Sequence, residues 1–244
     1  MTIRLSIALS LLSLAYFFCA SCSRLGREAR LNKGYDLDNV LFVQMDLQSS
    51  AYSQHPKSLD FVQKAISRIE TIPEVEAAAV VDSLLTSDSY QSRKIYAEGA
   101  ASSEMSLRYF AITPEYFRVV RIPLLRGRPF TDRDGPDSLG VIIISESVAR
   151  NLFPNEDPMG KRISFSNPPK KNSWFEIVGV AGDVRESEQA RAQIYGAYSQ
   201  EANSKVNIVA RTNVQPQSVF EEVENVIRAI DGQVRITNIQ APQR

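Results

Sequence analysis

The chain has almost no cysteine. Cys19 and Cys22 are the only two, and both lie in an apolar stretch near the N-terminus. From residue 23 onward, disulfide scaffolds and thiol chemistry are excluded, and the redox compartment is left open. Cys19-Ala20-Ser21-Cys22 spells C-x-x-C, but a redox or zinc reading needs a βαβ context or a second ligand pair, and the sequence offers neither. Histidine is scarcer still. His55 is the single one, beside Pro56 in what reads as a loop. A metal site or a histidine proton shuttle would have to be built without a second imidazole. A surplus of charge is missing as well, because Lys+Arg and Asp+Glu both total 28. Nucleic-acid binding draws most of its affinity from phosphate neutralisation by a basic surplus, so a polyanionic partner is not expected.

The familiar catalytic spacings are absent too. Asp132, Asp134 and Asp137 surround Gly135, but an EF-hand loop needs Glu at its twelfth place, where this chain has Ile143. Gly160-Lys161 would need Gly at 155 and Ser or Thr at 162 to form a P-loop, and those positions hold Asn155 and Arg162. Gly179 and Gly182 lack the third glycine and the following helix of a dinucleotide fingerprint. No G-x-S-x-G elbow occurs. Catalytic, cofactor-binding and metal residues are therefore assigned to none, and the chain is expected not to be an enzyme. A carboxylate-based hydrolase is the one catalytic class left to weigh against that.

What the chain does have begins with Leu5 to Ala20, an almost wholly apolar run. It is short for a membrane span and suits a signal segment or a marginal anchor. Three readings stand side by side. Cys22 is a lipidation site after the small residues Ala20 and Ser21; the segment is a retained anchor; or it is a cleaved signal. Arg24, Arg27, Arg30 and Lys33 follow the run, while Arg4 alone precedes it. That asymmetry favours the basic side facing the cytoplasm.

Residues 1–22 thus form the signal or anchor, and residues 23–38, polar and basic, form a tether. Val40 to Leu47 alternates apolar with polar residues and reads as a strand. Pro56-Lys57-Ser58 opens a helix with Leu59, Val62, Ile66 and Ile69 on one stripe, ended before Pro73. Val75 to Val81 is a second strand. The same unit recurs later: a strand at Val206 to Arg211, then a helix from Pro216 with Val219, Val223, Val226, Ile227 and Ile230 on one face. Asp231-Gly232 stops that helix, with Gly232 expected in a left-handed turn. A strand at Val234 to Ile239 closes the unit. Short strands near Arg93 to Ala97, Ser106 to Ile112, Val141 to Ile144, Arg162 to Phe165 and Phe175 to Val180 lie between the two units. Two short helices, Pro114 to Val119 and Glu146 to Phe153, accompany them.

The fold class is therefore α+β: a split βαβ-βαβ, ferredoxin-like (porter-like) subdomain over 39–89 and 196–244, with a mostly-β subdomain inserted at 90–195. In the insertion, Tyr116, Phe117 and Val120 should anchor a short helix on the sheet. Gly127 should permit a tight turn, and Arg126 and Arg128 should form surface ion pairs.

Several phrases in order carry a resemblance. They are Ile112-Thr113-Pro114-Glu115-Tyr116-Phe117, Ile122-Pro123-Leu124-Leu125-Arg126-Gly127-Arg128-Pro129-Phe130-Thr131, Asp157-Pro158-Met159-Gly160-Lys161-Arg162, and Glu176-Ile177-Val178-Gly179-Val180 with Gly182-Asp183-Val184-Arg185. Over residues 34 to 240 the chain resembles the MacB-like periplasmic core domain of ABC transporter permeases. The resemblance implies a non-catalytic domain anchored in the inner membrane with its soluble part in the periplasm. It implies coupling of a membrane exporter to periplasmic partners by protein contact. The implied partners are the membrane, through the N-terminal segment, and ABC permease or ATPase subunits or a periplasmic adaptor. Neither nucleotide nor cofactor is expected on this chain. Family members also carry an ATPase and further membrane helices, which this stretch of sequence lacks. A fragment, a truncated product or a detached copy is therefore expected. The alternative is a free-standing, membrane-anchored lipoprotein that binds a hydrophobic ligand or a protein.

Overall fold

The computed structural model describes residues 33–47, 55–87, 90–98, 105–166, 168–170, 173–185, 190–201 and 205–242. The apolar N-terminal run, Cys19 and Cys22 lie outside the described residues.

Eleven strands form one hydrogen-bonded network. β1 (Val40–Asp46), β2 (Val75–Val81), β12 (Lys205–Thr212) and β13 (Arg235–Gln240) lie side by side in the order β2-β12-β1-β13. All three pairings are antiparallel. The strands at the two ends of the chain thus share one sheet, as expected from their lengths, since neither is stable alone. Helices α1 (His55–Ile69) and α4 (Phe220–Ile230) cover one face of these strands. Leu41, Val43 and Met45 of β1 point to that face with Phe61, Val62, Ala65, Val223 and Ile227.

β1 was read as alternating, yet Val40 and Phe42 are as buried as Val43. The reason is a second cover: α2 (Tyr116–Val120) packs on the opposite face with Val40, Phe42, Ala77, Ala79 and Val81. A strand sandwiched on both faces loses its polar alternation.

The remaining strands pair into a ring. β4 (Met105–Ile112) joins β3 (Gln91–Ala97), which joins β7 (Arg162–Ser164), β8 (Trp174–Ala181), β6 (Val141–Ser145) and β11 (Gln193–Ala197), and β11 returns to β4 in parallel. Side-chain alternation sorts each strand between two cores. Leu107, Tyr109, Ala111, Ile142, Ile144 and Ile194 join the first core, and Phe110, Ile112, Ile143 and Tyr195 the second. Helix α3 (Glu146–Leu152) follows β6, β5 (Leu124–Gly127) pairs with β8, and β9 (Val184–Arg185) pairs with β10 (Ala190–Arg191). Among the described residues, the strand pairing between the ring and the four-stranded part is a single β2–β4 pair, Val81 opposite Ile112.

Two local expectations are corrected. His55 is the first residue of α1 rather than a loop residue. Helix α4 ends at Asp231, which is extended at φ −154°, and Gly232 is not among the residues with positive φ. The Asp231 amide still bonds the Ile227 carbonyl at 3.3 Å, so the end is closed without a left-handed residue. The helix is also preceded by one 3-10 turn, Pro216–Val219.

Gly127 does require its freedom. It has φ +75°, and a Cβ there would stand 2.2 Å from the Val178 carbonyl oxygen. Gly127→Ala is expected to cost about 2–3 kcal/mol through backbone strain and collision. Thermal melts should then fall by roughly 5–10 °C. An unchanged melting temperature would show that the β5–β8 contact yields freely.

Candidate functional site

Where the tether reaches the folded part, backbone groups that no strand can satisfy must find partners. Lys33 and Asp36 do so across the chain: the Arg185 amide bonds the Lys33 carbonyl at 2.9 Å, and the Asp36 amide bonds the Val120 carbonyl at 2.9 Å. Gly34 sits at φ +75° against the Asp183 carbonyl, where a Cβ would come within 2.0 Å. Tyr35 and Leu37 pack on the second core.

The centre of this junction is Arg211, only 2% exposed. Its Nε donates to the Val119 carbonyl at 2.7 Å, Nη1 to the Asp38 carbonyl at 2.7 Å and Nη2 to the Asp36 carbonyl at 2.5 Å. The nearest carboxylate oxygen, on Asp36, is 3.8 Å away and is itself paired with Arg121 at 2.8 Å. Burial, with Arg121 nearby, lowers the Arg211 pKa below the usual arginine value. The guanidinium is the side chain suited to remain charged in such a place. Next to it, the Thr212 amide and hydroxyl both bond the Asn39 carbonyl, at 2.8 and 3.1 Å.

The opposite end of β2 carries a second polar knot. Asp82, 5% exposed, accepts the Ala111 amide at 3.0 Å and the Gln91 side-chain amide at 3.3 Å. Burial pushes its carboxyl up to about 6, opposed by the Ala111 bond and the charge of Arg93. Arg93 is held bidentate by Glu201, at 2.7 and 3.1 Å, and stacks 3.6 Å above the Tyr109 ring. Asn207 donates to the carbonyls of Val81 and Asp82, and Thr113 accepts the Val80 amide through its hydroxyl at 2.8 Å. Side chains therefore lace the single β2–β4 contact.

A groove of about 660 Å³ lies beside α1. Leu59, Val62 and Ile66 form one wall, and Thr113, Phe130 and Asp132 stand on the others. It is a concave, mixed surface of the size of a small-ligand site.

The residues weighed in the sequence fall elsewhere. Asp134 is a buried turn residue that accepts both Nη atoms of Arg128, at 2.7 and 2.9 Å, and the Thr131 amide at 2.8 Å. Burial alone would raise its pKa, but these bonds outweigh it and hold the carboxyl below the ordinary range. Asp132 and Asp137 are exposed. Arg126 pairs with Asp157 at 2.8 Å, so both arginines form the ion pairs expected of them. Tyr116, Phe117 and Val120 are buried residues of α2 itself and pack on the second core. Gly179 and Gly182 lie close to the Arg128 carbonyl and to Pro123, a packing role. Among the described residues no group of three or more His, Cys, Asp or Glu could hold a metal ion, and no helix is long and apolar enough to cross a membrane. Cys22 lies outside the described residues, so its lipidation stands as an expectation from sequence.

Arg211 and Asp82 were not singled out from sequence. The available signals were a lone arginine inside Val206–Arg211, a run otherwise apolar at that end, and an aspartate directly after seven residues of β2.

A family model described as the MacB-like periplasmic core domain matches residues 13–226. The macrolide export ATP-binding/permease protein MacB of Aggregatibacter actinomycetemcomitans is 33% identical over 78 residues, 32% of this chain and 11% of that protein. The uncharacterised ABC transporter permease YvrN of Bacillus subtilis (strain 168) is 28% identical over 90 residues, 37% of this chain and 20% of that protein. The matched stretches thus span about a tenth to a fifth of these relatives' lengths. Among solved structures, the periplasmic region of MacB from Actinobacillus actinomycetemcomitans has a TM-score of 0.56 at 17% identity, covering 86% of this chain and 92% of that one. The extracellular domain of the ABC-type transporter YknZ from Gram-positive bacteria gives 0.52 at 16%, covering 81% and 100%. At such identities the likeness concerns the fold.

Proposed function

Because the chain belongs to the MacB-like periplasmic core domain family, matched over residues 13–226, we propose that it is a non-catalytic periplasmic domain of a MacB-type ABC permease. Held at the inner membrane by its N-terminal segment, it couples an exporter to periplasmic partners by protein contact. Those partners are ABC permease or ATPase subunits, or a periplasmic adaptor. The four strands β2-β12-β1-β13 with α1 and α4 serve as a split ferredoxin-like, porter-like subdomain over 39–89 and 196–244, and residues 90–195 as its insertion.

One observation carries this reading. β1, the strand that leaves the tether, and β13, the last strand, are antiparallel neighbours with Phe42 opposite Gln240. The first and last strands of the fold therefore lie side by side, with the start of β1 next to the end of β13, a geometry that suits a domain with one side turned to the membrane. The energy for movement comes from other subunits. Phosphate binding needs a nest of amides or a cationic cradle, and neither glycine candidate has the spacing for one.

Calorimetry of the soluble part with ATP is expected to give no binding heat, and micromolar affinity would contradict the proposal. The full chain, extracted from membranes in mild detergent, is expected to bring a permease, ATPase or adaptor with it. The groove beside α1 favours a second reading, the free-standing lipoprotein that binds a hydrophobic ligand. Recovery of the chain alone with bound lipid would favour that reading.

A further inference from the structure

We propose that Arg211 is the coupling residue of this domain, tying the segment 33–39 to α2 and β12 so that displacement of the N-terminal segment moves them as one body. The inference rests on the coupling role proposed above and names the joint through which it would act. Three carbonyls on two separate segments converge on one guanidinium: Asp36 and Asp38 of the leading segment, and Val119 of α2. Arg211 itself belongs to β12, opposite Val40 of β1. A planar fork with donors on both edges can serve both segments at once, whereas a lysine ammonium could not span them. The side chain is almost fully buried, so water cannot replace the lost bonds when the fork is removed.

Further hydrogen bonds of the leading segment are placed around this centre. The Asp36 amide reaches Val120 of α2, Asn39 receives Thr212 of β12, and the Lys33 carbonyl receives Arg185 of β9. Asp36 also pairs with Arg121, the left-handed residue that ends α2. Together they connect the tether to β12 in the four-stranded part and to α2 and β9 on the inserted side.

Amide hydrogen exchange on the full chain in detergent micelles tests the tie. In Arg211→Gln, exchange at the Asp36 and Thr212 amides should rise at least about tenfold, while Ile144 and Val180, in the core strands β6 and β8, keep their protection. Arg211→Lys keeps the charge without the fork and should give an intermediate rise, which also covers the case in which the Gln variant fails to fold. A second readout is a nitroxide pair at Lys33→Cys and Glu115→Cys, with Cys19 and Cys22 replaced by Ser. The distance distribution should be narrow with Arg211 present and broad in Arg211→Lys. Unchanged exchange and width in the variants would overturn the proposal. So would a loss of protection spread evenly over all strands, which is the mark of a merely structural residue. Both readouts are internal to the domain, so a chain recovered without partners would count against the proposed function and not against this tie.

Discussion

Val223→Asp is expected to leave no cooperatively folded domain. Val223 is 0% exposed and faces the first core from α4, beside Ile227 and the β1 residues Leu41 and Val43. The substitution removes an apolar contact worth about 1.5–3 kcal/mol and buries a carboxylate with no partner, which costs several kcal/mol more. Domains of this size are stable by only about 5–15 kcal/mol, so the sum reaches the whole margin. The same change at Ile66 should be milder. Ile66 was read from sequence as a core residue, but it is only half-buried and lines the groove beside α1, where a carboxylate can reach water. Ile66→Asp should cost about 1–3 kcal/mol and leave a cooperative melt. Circular dichroism melts of both variants decide the matter. A Val223→Asp melt within a degree or two of the parent would show that the face of α4 is wrongly assigned.

Asp82→Asn is expected to stabilise the domain at neutral pH and to flatten its pH dependence. The carboxyl of Asp82 is raised from 3.8 to about 6 because burial penalises the charge more than the Ala111 amide and Arg93 relieve it. A folded-state value above the unfolded one gives stability that is fully present below 3.8 and lost as pH rises through about 6. The loss between those limits is on the order of 3 kcal/mol. An asparagine keeps an oxygen for the Ala111 amide, turns a donor toward Gln91 and never ionises. Other carboxylates titrate in the same window, so the informative quantity is the difference between the two proteins. The variant should melt higher at pH 7.5 by roughly 5–10 °C and show a smaller gain on acidification to pH 4.5. Identical pH profiles would mean that Asp82 is ionised without penalty in the fold.

How far the sequence alone reaches depends on whether a feature is local. Helix α1 and strand β2 were legible because proline and apolar spacing act within one segment, and β2 is found at Val75–Val81 as read. Helix α4 was legible for the same reason, and it stops at Asp231 as read, although Gly232 does not take the left-handed conformation expected of it. Strand β11, Gln193-Ile194-Tyr195-Gly196-Ala197, was not legible at all. Its composition has no alternation, and it exists because β4 and β6 pair with it from more than forty residues away. Closure of the ring therefore could not be foreseen. The Arg211 junction was hidden for the same reason. Its acceptors are backbone carbonyls from Asp36, Asp38 and Val119, and a carbonyl leaves no mark in a sequence. The phrases Ile112 to Phe117 and Ile122 to Thr131, which carried the resemblance, turn out to build α2, β5 and the wall of the groove.

The placement of the folded part outside the cytoplasm is the claim on which the account turns, because the four basic residues after the apolar run favour the opposite orientation. One labelling measurement addresses it. Leu139 is 79% exposed, so Leu139→Cys should leave the fold intact, and with Cys19 and Cys22 replaced by Ser the new thiol is the only one in the chain. In spheroplasts, a membrane-impermeant maleimide should label this residue before lysis to the same extent as after it. Labelling that appears only once the inner membrane is broken would put the domain in the cytoplasm and contradict a periplasmic coupling role.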